Sequence, residues 1–123
     1  MNEDNMFDRT LFHKDYNIDH KDNINTFPTE PAVFGIFGII RDKPVRCRYV
    51  GETENLREAL RNLYEKAEEV SVGFKNFMQG HWVQKLVYEL MPNSTPEERQ
   101  KEVDEWKQKF NPKCDETGAY PKG

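Results

Sequence analysis

The chain has few of the features that mark secreted, metal-binding or membrane proteins. It has two cysteines, Cys47 and Cys114, too few and too widely separated to predict a disulfide scaffold or a close-spaced metal motif. Its longest apolar run, residues 32–40, is far shorter than the roughly 18 residues that a membrane span requires. The first residues carry acids where a secretory signal would carry lysine or arginine before an apolar stretch. These absences predict a cytoplasmic protein with reduced thiols and no association with a membrane.

An excess of positive charge is also lacking, since the formal net charge is −4. Residues 1–31 hold seven acidic and three basic side chains, whereas the rest of the chain holds 15 of each. The negative charge therefore belongs to the N-terminal stretch. A neutral domain behind an acidic leader lacks the strongly basic surface of an avid nucleic-acid-binding protein.

The sequence predicts one domain with a tail at either end, because 123 residues supply one hydrophobic core and not two. Residues 1–31 are rich in Asn and Asp and show no sustained period, so they are expected to form a polar N-terminal extension. Within it, one short amphipathic turn is expected to dock on the domain through Phe7, Leu11, Phe12 and Tyr16. Residues 32–115 form the predicted domain, and residues 116–123 a polar C-terminal tail.

The order of hydrophobic patterns predicts an α+β domain. Residues 32–40 and 45–50 read as two strands of a hairpin, and leucines at helical spacing follow from Leu56 to about Glu69. A short helix ending at Gly80 and a third strand over residues 82–90 come next. Thr95 and Glu98 then form a capping box that starts a helix, which stops before Pro112. We therefore expect a small, mainly antiparallel three-stranded sheet flanked by helices.

Two tripeptides in the hairpin resemble the motif pair that names the GIY-YIG nuclease family. They are Gly35-Ile36-Phe37 and Tyr49-Val50-Gly51, and the extension from Glu52 to Glu58 is also typical of the family's strand-to-helix joint. The resemblance covers roughly residues 32–115 and includes the order of elements. It implies a GIY-YIG-like fold and, in family members, metal-dependent hydrolysis of a phosphodiester bond.

The catalytic positions that the resemblance implies are mostly altered in this chain. Phe37 stands where the family has a tyrosine, and its ring has no hydroxyl to handle a proton. Ala59 stands at the position of an arginine that stabilises phosphate charge, and Val103 at the position of the glutamate that holds the metal. Of these positions only Tyr49 retains the family residue; at a further one, Asp115 matches an asparagine. An engineered Ala59 would not explain the other two losses, so natural degeneracy is favoured.

Displaced residues leave a second hypothesis open. Arg57 and Arg61 lie two residues from Ala59, about 200° around a helix, and Glu102 lies one residue from Val103, about 100° around. A divergent endonuclease would use Tyr49, Glu102 as the metal ligand and one of the two arginines around a single Mg²⁺. Without that activity, no cofactor is expected.

Basic residues are concentrated around the predicted hairpin and first helix, which makes this region the candidate contact for phosphates. Arg46 and Arg48 are expected to share one strand face, although a solvated face is an alternative interpretation. We therefore predict a catalytically degenerate domain that binds nucleic acid or a protein partner. A further hypothesis is that the acidic leader covers the basic face and regulates access to it. DNA, RNA and protein remain open as partners, as does the oligomeric state. The candidate nucleic-acid-binding residues are Arg41, Lys43, Arg46, Arg48, Arg57 and Arg61.

Overall fold

The longest apolar run of the sequence forms a central strand of an antiparallel sheet. In the computed structural model, which describes residues 6–13, 18–41, 43–80 and 82–121, this strand is β2 (Ala32–Ile40). Seven of its nine residues are buried, because strands flank it on both sides and helices cover both faces of the sheet. The next strand, β3 (Lys43–Thr53), pairs with β2 from Ala32 opposite Thr53 to Ile40 opposite Lys43. The predicted hairpin is confirmed.

The sheet has four strands, so the prediction of three strands was wrong by one. The additional strand is β1 (Phe7–Phe12), which pairs with β4 (Gln84–Leu90) in the order β1-β4-β2-β3. β1 belongs to the stretch that was predicted as an extension with one amphipathic turn. Only Leu11 is deeply buried in it, at 1% exposure, so the strand shows no clear period in the sequence. Its hydrogen bonds come from β4, which is distant in sequence. Tyr16, also predicted to dock, lies outside the described residues.

Capping residues set the ends of the helices. After the short α1 (His20–Asn23), α2 (Leu56–Glu65) is capped by the Asn55 side chain and α3 (Val72–Gln79) by Ser71. The capping box of Thr95 and Glu98 opens α4 (Pro96–Phe110), as predicted. α4 ends at Asn111, whose φ of 47° turns the chain out of the helix before Pro112. No helix in the described ranges is long and apolar enough to cross a membrane.

Each face of the sheet has its own core. We call the two sides the helix-pair face, covered by α2 and α3, and the α4 face. The helix-pair face also receives Ile24 and Phe27 from the N-terminal stretch. A residue's place on one side or the other decides which side chains it is able to meet. The buried residues of the α4 face are Val33, Phe37, Cys47, Val50, Val87, Val103 and Trp106.

The chain after α4 packs back on the sheet, although its last residues were predicted as a polar tail. We call residues 112–121 the C-terminal strap. The backbone N–H of Lys113 donates to the carbonyl of Cys47 in β3, with an N–O distance of 3.0 Å. The Asn76 side chain of α3 donates to the carbonyl of Glu116 at 2.7 Å. The strap is therefore anchored to both β3 and α3.

Candidate functional site

Two of the altered catalytic positions lie in the core of the α4 face. Phe37 is 3% exposed, and its ring meets that of Phe110 edge-on at a centroid distance of 5.1 Å. Val103 is also 3% exposed in the same core. Both side chains fill volume between β2 and α4, so their place in the structure agrees with their lack of a reactive group.

Tyr49, which retains the family residue, lies on the helix-pair face. Its ring packs 5.3 Å from that of Phe74 and 6.0 Å from that of Phe34. Burial in this apolar setting, with the negative charge of Glu52 nearby, raises the pKa of the Tyr49 phenol. The Tyr49 hydroxyl therefore stays neutral across the physiological pH range.

The two candidate arginines of α2 are bonded to the N-terminal stretch. Arg57 Nε donates to the carbonyl of Phe27 at 2.7 Å. Arg61 pairs with Glu58 at 2.6 Å and donates through its other terminal nitrogen to Asn25 at 3.1 Å. Ala59, between them in sequence, packs against the core of the helix-pair face. The guanidinium groups are thus engaged by oxygens of α2 and of residues 25–27.

Glu102 lies on the other side of the sheet and has a second carboxylate as its neighbour. Its Oε2 atom is buried without a hydrogen-bond partner in the described part of the chain, as is Oε1 of Glu89 in β4. Burial, together with the negative charge of Glu102, raises the pKa of Glu89. Because Glu102 belongs to the α4 face and Tyr49 to the helix-pair face, the structure does not bring them into one pocket. The described ranges contain no group of three His, Cys, Asp or Glu side chains placed to hold a metal ion.

The six basic residues that the sequence grouped together are divided by the fold. Arg41, Lys43 and Arg46 lie exposed around the tip of the hairpin. Arg57 lies in the first turn of α2, near the opposite end of the ladder, where its backbone N–H donates to the Pro28 carbonyl. Eight residue steps of the β2–β3 ladder separate these ends, which is about 26 Å at the usual rise per residue.

Arg46 and Arg48 are not alternate residues of a regular strand, which the prediction of a shared face assumed. The β2–β3 register shifts on each side of Phe37, which leaves both arginines as extra residues in β-bulges. Arg46 adopts a positive φ of 56° and its side chain is exposed. Arg48 is 7% exposed. Strict alternation, on which the prediction relied, fails because each bulge adds one residue to β3 alone.

Arg48 is enclosed by aromatic rings and carbonyl groups. Its guanidinium carbon lies 4.5 Å from the ring centroid of Phe77, 5.6 Å from Trp82 and 5.8 Å from Tyr120. Nη1 donates to the carbonyl of Arg46 at 2.7 Å, and Nε to the carbonyl of Gly118 at 3.4 Å. Burial lowers the pKa of this arginine from its ordinary value. We call Arg48, Phe77, Trp82 and Tyr120 the arginine cage.

The sequence prediction missed two lysines that extend the basic hairpin tip. Lys109, in the last turn of α4, lines an open cleft of about 330 Å³ together with Pro44 and Phe110. Lys113 lies beside β3 through its backbone bond to Cys47. Basic residues at a helix C-terminus were visible in the sequence, but only the packing of α4 places them beside the hairpin. We call Arg41, Lys43, Arg46, Lys109 and Lys113 the basic end.

Comparison with known proteins adds no relative: no family model, no curated protein and no solved structure matches this chain. The resemblance to GIY-YIG nucleases therefore rests on the motifs of the chain itself.

Proposed function

We propose that this chain is a catalytically degenerate GIY-YIG-like domain that binds nucleic acid through its basic end. The motif resemblance is supported by the position of the two tripeptides on adjacent strands, with Gly35 paired to Val50. The order hairpin, helix, helix, strand, helix from β2 to α4 agrees with it. Phe37, Ala59 and Val103 supply no acid, cation or metal ligand, so binding is the function that the retained parts support.

The observation that carries the proposal is the group of exposed cations at the hairpin tip. In the described residues no carboxylate lies within ion-pair distance of Arg41, Lys43 or Arg46. Lys109 and Lys113 add two exposed lysines near the end of α4. A cluster of exposed cations on one end of a molecule is suited to the phosphates of a nucleic acid backbone. Glu52, Glu54, Glu97 and Glu98 lie at the start of α4 and the end of β3, and Asp8 lines the cleft beside Lys109.

The alternative function, a divergent endonuclease, requires Tyr49, Glu102 and one of Arg57 or Arg61 to converge. Their side chains lie on opposite faces of the sheet or bond to residues 25–27, which favours binding over cleavage. We expect no cleavage of single- or double-stranded DNA or RNA by the full chain with Mg²⁺. Cleavage that disappears in the Tyr49→Phe variant would establish the endonuclease and overturn the proposal of a degenerate domain.

Fluorescence anisotropy with labelled 20-nucleotide single strands and duplexes tests the proposed surface. The double variant Lys43→Ala/Arg46→Ala removes two charges from the basic end, and we expect affinity at low salt to fall about tenfold or more. Lys66→Ala/Lys101→Ala is the matched control, because it removes two exposed lysines elsewhere. Equal loss in both double variants would reduce the effect to net charge and contradict a defined site. Absence of binding by the wild-type chain would favour a protein partner instead.

A further inference from the structure

Two buried arginines in this protein have very different surroundings. Arg99 is 1% exposed, and its Nε lies 2.7 Å from a carboxylate oxygen of Glu52. Its terminal nitrogens meet Glu54 at 3.7 Å and Ser94 at 2.8 Å. Arg48, at 7% exposure, has no carboxylate within ion-pair distance in the described residues. Within the described residues the hydrogen bonds of its guanidinium go to two backbone carbonyls, so no anion contacts it directly.

The carboxylate of Asp115 acts on Arg48 only from beyond ion-pair distance: burial lowers the pKa of Arg48, and the negative charge of Asp115 partly opposes that effect. Asp115 Oδ1 accepts hydrogen bonds from Thr117 and Ala119 within the C-terminal strap. Cys114 is also near Arg48, but burial raises the pKa of its thiol, which keeps it neutral. A desolvated guanidinium without an anion is costly to bury. A phosphate would offset that cost, because its oxygens match the fork of guanidinium donors.

The aromatic members of the cage add a surface for stacking. Trp82 is 38% exposed, whereas the other tryptophan of the chain, Trp106, is completely buried on the α4 face. Phe77 packs 6.0 Å from Trp82 between ring centroids. A cation beside an accessible indole ring is the combination that single-stranded nucleic acids meet in proteins that bind them by stacking.

The C-terminal strap closes the cage on its remaining side. The Tyr120 hydroxyl donates to the carbonyl of Asn111 at 2.9 Å, which holds its ring over Arg48. The absence of a side chain at Gly118 allows the strap backbone to pack closely against Phe77 and Trp82. A Cβ atom there would stand 2.9 Å from Trp82 Nε1, and its φ of +94° also favours glycine. The ring of Tyr120 therefore lies on the side of Arg48 that the strap covers.

We propose that Arg48, Phe77 and Trp82 form a binding site for one nucleotide of a single-stranded nucleic acid. In the free protein Tyr120 of the C-terminal strap fills this site, so binding displaces Tyr120. The inference rests on the proposed function and gives it a substrate class, because a base becomes available for stacking only when it is unpaired. The basic end would contact the phosphates of neighbouring nucleotides.

Intrinsic tryptophan fluorescence of the full chain reports on this site, because of the two tryptophans only Trp82 is accessible. Titration with a 12-nucleotide oligothymidylate is expected to quench the emission, whereas a duplex of the same length leaves it unchanged. Trp82→Leu is expected to abolish the quenching and lower anisotropy-measured affinity for the single strand about tenfold. Trp82→Phe retains a ring for stacking and should bind within about threefold of wild type.

Two further variants test the contribution of the Arg48 guanidinium to binding and the competition by the Tyr120 ring. Arg48→Gln is expected to lower single-strand affinity about tenfold. Because Arg48 is buried, its replacement could disturb the fold. The affinity of Arg48→Gln is therefore compared with wild type only if the circular dichroism and the unfolding midpoint of the variant match those of wild type. Tyr120→Ala removes the competing ring and is expected to raise affinity for the single strand about fivefold.

The outcomes separate this inference from the proposed function. Wild-type affinity in both Trp82→Leu and Tyr120→Ala would overturn the nucleotide site, even if Lys43→Ala/Arg46→Ala still weakens binding to both strand types. Competition by a phosphotyrosine peptide at the same concentration as the oligonucleotide would also overturn it, because the site would then recognise phosphate without a base. Loss of binding only in Lys43→Ala/Arg46→Ala supports the proposed function alone.

Discussion

At the scale of single residues, burial decides which polar side chains are available for chemistry. Cys47 is almost fully buried beneath α4, and this burial raises the pKa of its thiol to about 12. Tyr49 is likewise held neutral among Phe34 and Phe74. The sequence shows that these groups exist, but their reactivity depends on neighbours that lie far away in the chain.

His20 should make the stability of the fold depend on pH. Its ring lies 4.3 Å from that of Tyr64 and 5.5 Å from that of Phe12, and burial lowers its pKa despite the nearby charge of Asp19. A group whose folded pKa is depressed contributes stability that is present above its unfolded pKa of about 6.5. That contribution is lost as the pH falls through the lower folded value. Urea unfolding between pH 5 and 7.5 should therefore show a steeper fall towards acid in wild type than in His20→Phe. Equal slopes would contradict this assignment.

At the scale of elements, the parts with local signals were predicted and the parts that depend on distant partners were not. The hairpin of β2 and β3 follows from a β-branched run with turn residues after it, and α4 follows from its capping box. β1 has no comparable signal, because β4 supplies its hydrogen bonds across more than 70 residues of sequence. The C-terminal strap is also polar in sequence and is ordered by its contacts to β3 and α3.

If β1 is an integral strand, its buried residue must contribute to global stability. Leu11→Ala is expected to lower the free energy of unfolding by about 3 kcal/mol, because it opens a cavity in the core of the helix-pair face. Phe7→Ala is the control on the same strand, since Phe7 is 54% exposed, and should cost less than about 1 kcal/mol. Chemical denaturation measures both values. Similar small losses would show that β1 contributes little to the fold.

An ion pair between the buried Arg99 of α4 and Glu52 of β3 adds to the hydrophobic packing of these two elements. Glu52→Gln removes the carboxylate that lies 2.7 Å from Arg99 Nε, and should cost about 3 kcal/mol because it leaves a buried charge poorly compensated. Glu54→Gln removes an 80% exposed carboxylate at 3.7 Å and should change stability by less than about 0.5 kcal/mol. Urea unfolding of the two variants gives the comparison. A cost for Glu52→Gln as small as that for Glu54→Gln would contradict the pairing.

At the scale of the whole molecule, the fold separates charges that nearly cancel in the sequence. The net charge is −4, yet five cations collect at the basic end, and acidic residues at the opposite end of α4. Composition alone therefore understated the local potential that a ligand would meet. The two tripeptides of the hairpin are brought onto adjacent strands, while Tyr49 and Glu102 are kept on opposite faces.

Binding at the basic end should respond to salt in proportion to the phosphates contacted. For duplex DNA, contacts from Arg41, Lys43 and Arg46 predict a slope of about −3 for the logarithm of affinity against that of salt concentration. Lys43→Ala/Arg46→Ala should reduce the magnitude of this slope by about 2. Anisotropy titrations from 25 to about 200 mM salt give the slopes. An unchanged slope in the double variant would place the phosphate contacts elsewhere.

The sequence by itself determined the α+β class, the central hairpin, the capped late helix and the motif pair at residues 35–37 and 49–51. These features depend on side-chain periodicity and on contacts within a few residues, which any reader of the chain is able to see. Only the tertiary structure decided that β1 completes the sheet, that Arg46 and Arg48 are extra residues in bulges of β3, and that the C-terminal strap packs against Arg48. Each depends on hydrogen bonds and packing between segments far apart in sequence. Local sequence patterns do not predict such contacts.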